Sequence, residues 1–309
     1  MKRFQRPRTV RPLGILAGGA LVFSACAAPA PPAPDPFGVF HKAEVLGSST
    51  KIFLSDVDTP AYRLRENPDD YALVIGIDKY ESLPEARFAE RDAATVREHL
   101  LAMGFPLRNI LYLSGRDASR AGIEKYVESW LPMNVKESSR VLVYFSGHGA
   151  PAVDDGQAYL VPYDGDAQYL ANTGYPLKRL YGQLNALKAK EVLLVMDACF
   201  SGAGGRSVVA KGTRPLITKV DVDLANESKV VVFAAASADE ITGTEESQGH
   251  GLFTYYFLKA INEAKGDATI ANIFGYLQPR VNDAARRQGR DQKPQLLPAE
   301  LGARKNRRL

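Results

Sequence analysis

The 309-residue sequence predicts an α/β domain in which helices cover both faces of a mostly parallel central sheet. Five short apolar runs between residues 72 and 234 are continuous rather than alternating, which is typical of strands buried on both faces. Amphipathic helical patterns separate these runs, as expected for βαβ units in one doubly wound domain. The composition, 45% hydrophobic and 24% charged residues, is that of an ordinary globular protein with a sizeable core.

The predicted elements follow one another in chain order. The strands are predicted at 72–77, 109–113, 141–145, 192–196 and 230–234. The helices are predicted at Ala89–Gly104, Arg120–Leu131, Pro176–Lys188, Leu252–Ala264 and Thr269–Ala285. A further strand is predicted ahead of the domain, at Lys51–Ser55.

The N-terminus, residues 1–26, is predicted to be a signal peptide. A basic stretch precedes an apolar run that is too short to span a bilayer, and small residues surround Cys26. The sequence Phe23-Ser24-Ala25-Cys26 resembles a bacterial lipobox, which predicts lipidation of Cys26 and export to the cell envelope. Because Ala27 would then be the second mature residue, the outer membrane is expected in a Gram-negative cell. Ordinary cleavage near Ala25–Ala28 is the alternative.

The remaining chain divides into three predicted regions. Residues 27–69 are a Pro/Ala-rich linker and lead-in, 70–298 form the domain, and 299–309 are a basic disordered tail. The net charge of +4 comes largely from residues 1–25, which carry five basic residues and no acid. No basic face predicts nucleic-acid binding.

Reactive side chains follow two of the predicted strands. Strand 141–145 leads into Ser146-Gly147-His148-Gly149, and strand 192–196 leads into Asp197-Ala198-Cys199. The carboxyl ends of parallel strands meet at one edge of the sheet, where such folds bind their ligands. We therefore expect His148 to lie close to Cys199.

This pairing predicts nucleophilic catalysis. A thiol attacks a carbonyl carbon as its thiolate, so Cys199 needs an adjacent base, and His148 supplies one. The backbone N–H groups of Gly149 and Cys199 are candidate donors to the developing oxyanion. Two alternatives stay open: Cys199 as a small buried hydrophobe, and His250 as the rival base.

Six segments between Tyr71 and Pro298 resemble the caspase–metacaspase family of cysteine peptidases, especially its bacterial members. They are Tyr71-Ala-Leu-Val-Ile-Gly-Ile-Asp78, Arg91-Asp92-Ala93, Tyr144-Phe-Ser-Gly-His-Gly149, Asp197-Ala-Cys-Phe-Ser-Gly202, Gly251-Leu-Phe-Thr-Tyr255 and Gln292-Lys-Pro-Gln295. The resemblance implies a caspase-like α/β/α sandwich forming a single domain. It also implies a cysteine endopeptidase with a His–Cys dyad on His148 and Cys199 and no obligatory third member.

Two acidic residues predict the substrate preference. Asp197 lies two residues before Cys199, so in extended backbone both side chains point to the same face. A carboxylate beside the nucleophile would attract a basic side chain in the residue before the scissile bond. Similarity to metacaspases implies this role for Asp92 as well as Asp197, and cleavage after Arg or Lys. The alternatives are a hydrogen-bond network at Asp197 and a helix-terminus role for Asp92.

Self-processing is predicted in the segment Gly204–Lys229, because related peptidases often cut themselves in such a segment. The candidate sites for a basic-specific enzyme are Arg206, Lys211 and Arg214. An uncut surface loop is the alternative.

No cofactor is expected. Four scattered histidines offer no metal-ligand spacing. Calcium-activated metacaspases carry several aspartates, and Asp164 matches one of them. The other matching acids are absent around Tyr175–Leu180 and at Gly204-Gly205-Arg206. Because calcium needs about 6–8 oxygen ligands, dependence on calcium is not expected.

The predicted partners are a peptide or protein substrate and, through a lipid anchor, a membrane. The main alternative to an enzyme is an inactive caspase-like module that binds peptides or partner proteins. Hydrolase or transferase chemistry on a non-peptide amide would use the same dyad.

Overall fold

The computed structural model describes residues 54–151, 157–200, 228–236, 240 and 242–309, which lie in the unit Lys51–Leu309. The strands in these residues are β1 (Tyr71–Gly76), β2 (Ile110–Ser114), β3 (Arg140–Ser146), β4 (Gly149–Pro151), β5 (Ala158–Leu160), β6 (Tyr175–Pro176), β7 (Glu191–Asp197), β8 (Val230–Ala234), β9 (Thr244–Glu245), β10 (His250–Gly251) and β11 (Gln295–Leu297). The helices are α1 (Ala89–Ala102), α2 (Arg120–Lys125), α3 (Leu131–Asn134), α4 (Leu170–Thr173), α5 (Leu177–Ala186), α6 (Leu252–Glu263) and α7 (Ile270–Arg287).

The central sheet has six strands in the order β11-β8-β7-β3-β1-β2. All neighbouring pairs are parallel except β11, which runs antiparallel to β8. The strands β3 and β7 lie side by side, with Ser146 opposite Asp197. The two segments that carry the candidate catalytic residues therefore leave the sheet at the same edge, as predicted.

Helices cover both faces of this sheet. Along β1, Leu73 and Ile75 face the layer that contains α2, α3 and α5, whereas Ala72 and Val74 face α1, α6 and α7. Because every residue of β1 is buried, the strand reads as a continuous apolar run rather than an alternating one. The predicted α/β sandwich with a mostly parallel sheet is confirmed.

The elements differ from the predicted ones in two respects. The predicted helix Arg120–Leu131 is divided into α2 and α3 by a π turn at Tyr126–Trp130. Pro132, which follows this turn, has no N–H to continue the helical hydrogen-bond ladder. The strand β11 and the small antiparallel sheets β4-β5-β6 and β9-β10 were not predicted, because strands of two or three residues carry no usable hydrophobic period.

The C-terminal end corrects the prediction of a disordered basic tail at 299–309. Arg307 accepts a hydrogen bond on its carbonyl oxygen from the N–H of Ile270 at 2.9 Å. Arg308 lies 2.6 Å from Asp267, and Arg307 lies 3.5 Å from Glu191. The tail is ordered because acids of the domain pair with its basic side chains, a pairing that the local sequence does not reveal.

The lead-in packs against the domain through the buried side chain of His99 in α1. The ring Nε2 of His99 bonds to the carbonyl oxygen of Val57 at 2.8 Å, and Nδ1 lies 3.0 Å from the hydroxyl of Tyr62. Of the strand predicted at Lys51–Ser55, only residues 54 and 55 are described, and they are not in a strand.

Several predictions fall on residues outside those that the structure describes. They are the signal peptide with Cys26, the part 27–53 of the predicted linker and lead-in 27–69, and the self-cleavage candidates Arg206, Lys211 and Arg214. Among the described residues, none of the helices has the length and apolar character needed to cross a bilayer.

Candidate active site

His148 follows β3 and is held by the loop between β1 and α1. Its backbone N–H donates to the hydroxyl of Tyr80 at 2.6 Å, and the two rings pack with centroids 4.6 Å apart. Its ring Nε2 lies 2.7 Å from the carbonyl oxygen of Pro84. The imidazole is 1% exposed, so these contacts fix its orientation at the sheet edge.

The contact with Pro84 determines the tautomer of the neutral ring. A carbonyl oxygen only accepts hydrogen bonds, so Nε2 of His148 carries the proton and donates it. The lone pair of the neutral imidazole is then on Nδ1, which is the nitrogen able to take a proton from an acid.

Cys199 lies two residues beyond the end of β7, alongside the segment that carries His148. The pairing of β3 with β7 continues past the strands, because the N–H of Gly147 donates to the carbonyl oxygen of Asp197 at 3.4 Å. The thiol of Cys199 donates to the carbonyl oxygen of Glu240 at 3.0 Å, and the residue is 1% exposed. The sulfur is therefore covered, but by a polar backbone group rather than by apolar packing alone.

Gly149 lies directly against the segment of the nucleophile. A Cβ atom at this position would be 2.5 Å from the carbonyl oxygen of Cys199 and 2.7 Å from the ring of Phe200. The N–H of Val161 donates to the carbonyl oxygen of His148, so Gly149 and Leu160 form the next, non-hydrogen-bonded pair of the ladder. The N–H of Gly149 consequently points away from β5, as a donor to substrate requires.

The two predicted specificity carboxylates both meet the N-terminal end of α6. Asp197 Oδ2 accepts from the hydroxyl of Thr254 at 2.7 Å and from its N–H at 3.3 Å. Asp92 accepts from the N–H of Gly251 at 3.1 Å on each carboxylate oxygen. Both carboxylates are buried. Their negative charge is stabilised by the N–H groups of the first helical turn, which have no acceptor within the helix, and by the positive end of the helix dipole.

Asp92 has further partners that the sequence did not predict. Its Oδ1 lies 2.9 Å from Nδ1 of His250, and its Oδ2 accepts from the hydroxyl of Ser146 at 3.3 Å. His250 Nε2 lies 3.0 Å from Asp58, which also forms an ion pair with Arg91 at 2.6 Å. Carboxylates therefore contact both ring nitrogens of His250, which leaves neither nitrogen directed at Cys199 in the role of the rival base.

Among the described residues, no group of three or more His, Cys, Asp or Glu side chains is arranged to hold a metal ion. Asp164, which the resemblance to metacaspases matches to a calcium-binding aspartate, accepts a hydrogen bond from the N–H of Arg120 at 2.8 Å. Independence of calcium stays a prediction.

The family model described as the caspase domain matches residues 69–304, which include His148 and Cys199. The chain belongs to the caspase domain family. Members of this family are cysteine peptidases that act on protein substrates.

Solved structures share the fold of this caspase domain. A Geobacter sulfurreducens protein, determined as a structural genomics target, aligns with a TM-score of 0.56 at 16% identity, over 78% of this chain and 98% of its own. Caspase-1 from Spodoptera frugiperda aligns with a TM-score of 0.51 at 14% identity, over 80% of this chain and 93% of its own. A search of curated proteins finds no match.

Some residues that shape the site of this caspase domain were missed by the sequence analysis. Tyr80 lies in the loop that follows β1, at the same sheet edge as His148, so its position was a usable signal. Pro84 acts through a backbone carbonyl, which every residue has, and so gives no signal in the sequence. The same holds for the carbonyl of Glu240 that binds the thiol.

Proposed function

We propose that this caspase domain is a cysteine endopeptidase that hydrolyses peptide bonds with His148 and Cys199 as its catalytic residues. The observation that carries the proposal is the adjacency of β3 and β7, with Ser146 opposite Asp197 and each catalytic residue two positions further along. The tautomer of His148, fixed by Pro84, supports Nδ1 as the base.

The proposed reaction passes through a thioester. Nδ1 of His148 takes the thiol proton, and the sulfur attacks the peptide carbonyl carbon. The N–H groups of Gly149 and Cys199 stabilise the negative oxygen. The imidazolium gives its proton to the leaving amine as the C–N bond breaks. Water, deprotonated by His148, then attacks the thioester, releases the carboxylic acid product and restores the thiol.

The sulfur of Cys199 has to become accessible before a substrate can react with it. Cys199 is 1% exposed and its thiol is bonded to the carbonyl of Glu240. A peptide carbonyl reaches the sulfur only after that carbonyl gives way. We infer that this opening occurs transiently in the free protein, so that both substrate and a small alkylating reagent can reach the sulfur.

The preference for Arg or Lys before the scissile bond is proposed to rest mainly on Asp197. Its Oδ2 is bonded to Thr254, and the carboxylate lies two residues before the nucleophile. Asp92 lies at the same helix terminus, but its oxygens bond to Gly251, His250 and Ser146. A direct contact of Asp92 with substrate stays a prediction, and its observed contacts support a structural role.

The location and processing of the protein are also proposals. Lipidation of Cys26 would tether the peptidase in the cell envelope through the Pro/Ala-rich linker. Cleavage at Arg206, Lys211 or Arg214 would agree with the proposed basic specificity. The proposed reaction uses only protein groups and water.

The test is hydrolysis of fluorogenic peptides by the purified full-length protein. Three peptides place Arg, Lys or Asp before the leaving group. We expect hydrolysis of the Arg and Lys peptides, and a loss of at least about 10³-fold in Cys199→Ala and in His148→Ala. Cys26→Ala, which removes the other cysteine, is the matched control and should keep the wild-type rate.

Three results would reject the proposal. Cys199→Ala could cleave the Arg peptide as fast as the wild type, or the wild type could cleave none of the peptides. The third is a thiol of Cys199 that resists iodoacetamide below about pH 7, which is the behaviour of an inert buried cysteine.

A further inference from the structure

A basic side chain of the protein itself lies beside the acidic edge of the site. Arg290 follows α7, in the segment that leads to β11. Its guanidinium packs against the backbone of Gly243 so closely that a Cβ atom there would overlap it. Only a glycine at position 243 accommodates the guanidinium in this place.

Hydrogen bonds fix the side chain of Arg290 at the carboxyl ends of the strands. Its Nη1 donates to Oε1 of Gln292 at 2.6 Å, and the same oxygen accepts from the N–H of Gly243 at 3.0 Å. Nε2 of Gln292 donates to the carbonyl oxygen of Ala235, directly after β8, at 3.0 Å. Gln292 is buried and hydrogen-bonded on both sides of its amide, so it holds the guanidinium in a fixed position.

The contacts with Gln292 and Gly243 place Arg290 next to the N-terminal end of α6, which binds Asp197. The carbonyl oxygen of Gly243 accepts from the N–H of Leu252, the first residue of α6, at 2.8 Å. Two residues further on, Thr254 donates to Asp197. Burial lowers the pKa of Arg290, and the charge of Asp197 opposes that shift. The contacts from Arg290 through Gly243 to the first turn of α6, and from Thr254 to Asp197, place the guanidinium and the carboxylate at the same helix terminus.

We propose that Arg290 is a specificity-determining residue, a resident guanidinium that shares the acidic subsite at Asp197 and that a basic substrate side chain must displace. The inference rests on the proposed function, which assigns the subsite to Asp197. A buried carboxylate attracts an incoming Arg or Lys less strongly when a fixed cation already lies at the same helix terminus. Arg290 thus weakens the binding of basic substrates and restricts cleavage to peptides with strong contacts elsewhere.

The test measures peptide binding without hydrolysis. The full-length Cys199→Ala variant and the Cys199→Ala/Arg290→Ala double variant are titrated with two fluorescein-labelled peptides that differ only in Arg or Gln before the scissile bond. Fluorescence anisotropy gives each Kd. We expect the double variant to bind the Arg peptide about tenfold more tightly and the Gln peptide unchanged.

Two controls separate this effect from altered folding. Arg287→Ala in the same Cys199→Ala background removes an exposed cation at the end of α7 and should leave both Kd values unchanged. Arg290→Gln removes the charge but keeps a hydrogen-bonding side chain. If Arg290→Ala does not fold, Arg290→Gln takes its place in the test, and the same tighter binding of the Arg peptide is expected.

The outcomes also separate this inference from the proposed function. It is overturned if the variants lacking Arg290 bind the two peptides equally, bind neither, or bind the Arg peptide no more tightly than Cys199→Ala does. If the variants lacking Arg290 bind the Arg peptide more tightly but the wild type hydrolyses no peptide, only the proposed peptidase activity is rejected. Hydrolysis by the wild type with no effect of Arg290 on Kd would reject the inference alone.

Discussion

Replacement of Asp92 by Ala tests whether this carboxylate holds the fold together. Asp92 and His250 are both 0% exposed, and the carboxylate accepts from the His250 ring and from the N–H of Gly251. The substitution leaves a buried imidazole and a buried helix N-terminus without their acceptor. It also leaves Asp58 as the only carboxylate observed to bond to His250.

The expected loss of stability is large. Removing a buried carboxylate that is hydrogen-bonded on both oxygens costs about 3–5 kcal/mol, because its buried partners stay in place without their acceptor. A change of 1 kcal/mol shifts the Tm of a domain of this size by about 2–4 °C, so the expected decrease is about 6–20 °C. Asp92→Asn keeps one oxygen for the N–H of Gly251 and should lose less.

Urea denaturation and thermal melting of the full-length protein measure this loss. Glu98→Ala in the same helix is the matched control: its side chain is 52% exposed and lies 3.9 Å from Arg97, so a change within about 0.5 kcal/mol is expected. A loss below about 1 kcal/mol in Asp92→Ala would refute the structural role. A raised KM for Arg peptides at unchanged stability would instead favour a direct contact of Asp92 with substrate.

Two further predictions concern Gly149 and His99. Gly149→Ala should cost about 1–3 kcal/mol and abolish hydrolysis, because its Cβ would be 2.5 Å from the carbonyl oxygen of Cys199. Gly182→Ala in α5, with nothing within 4 Å, is the control in the same urea and peptide assays, and equal behaviour of the two variants would contradict the argument. Burial lowers the pKa of His99 from 6.5, so the unfolded chain binds this proton first and stability falls as the pH drops below about 6.5. His99→Gln should reduce the slope of unfolding free energy against pH, just below about pH 6.5, by up to about 1.4 kcal/mol per unit, and an unchanged slope would contradict this assignment.

The sequence predicted which residues lie at the carboxyl ends of the strands, but not the contacts that hold their side chains. Residues such as Ser146 and Asp197 follow apolar runs, so their place at strand ends could be read from the pattern. The roles of His250 and Arg290 could not, because each depends on residues far away along the chain. His250 meets Asp58 and Asp92 across more than 150 positions, and no local period records such a contact.

Local patterns in the sequence were enough to predict five strands of the central sheet, including the two that end in reactive residues. Hydrophobic period and strand length are local properties, and they predicted β1, β2, β3, β7 and β8 with small differences at their ends. Three features became known only from the folded chain: β3 and β7 are neighbours, the neutral ring of His148 is basic at Nδ1, and the acids meet the terminus of α6. The physical reason is that hydrogen bonds and buried charges depend on distances in space, which the folded chain sets between residues that the sequence keeps apart.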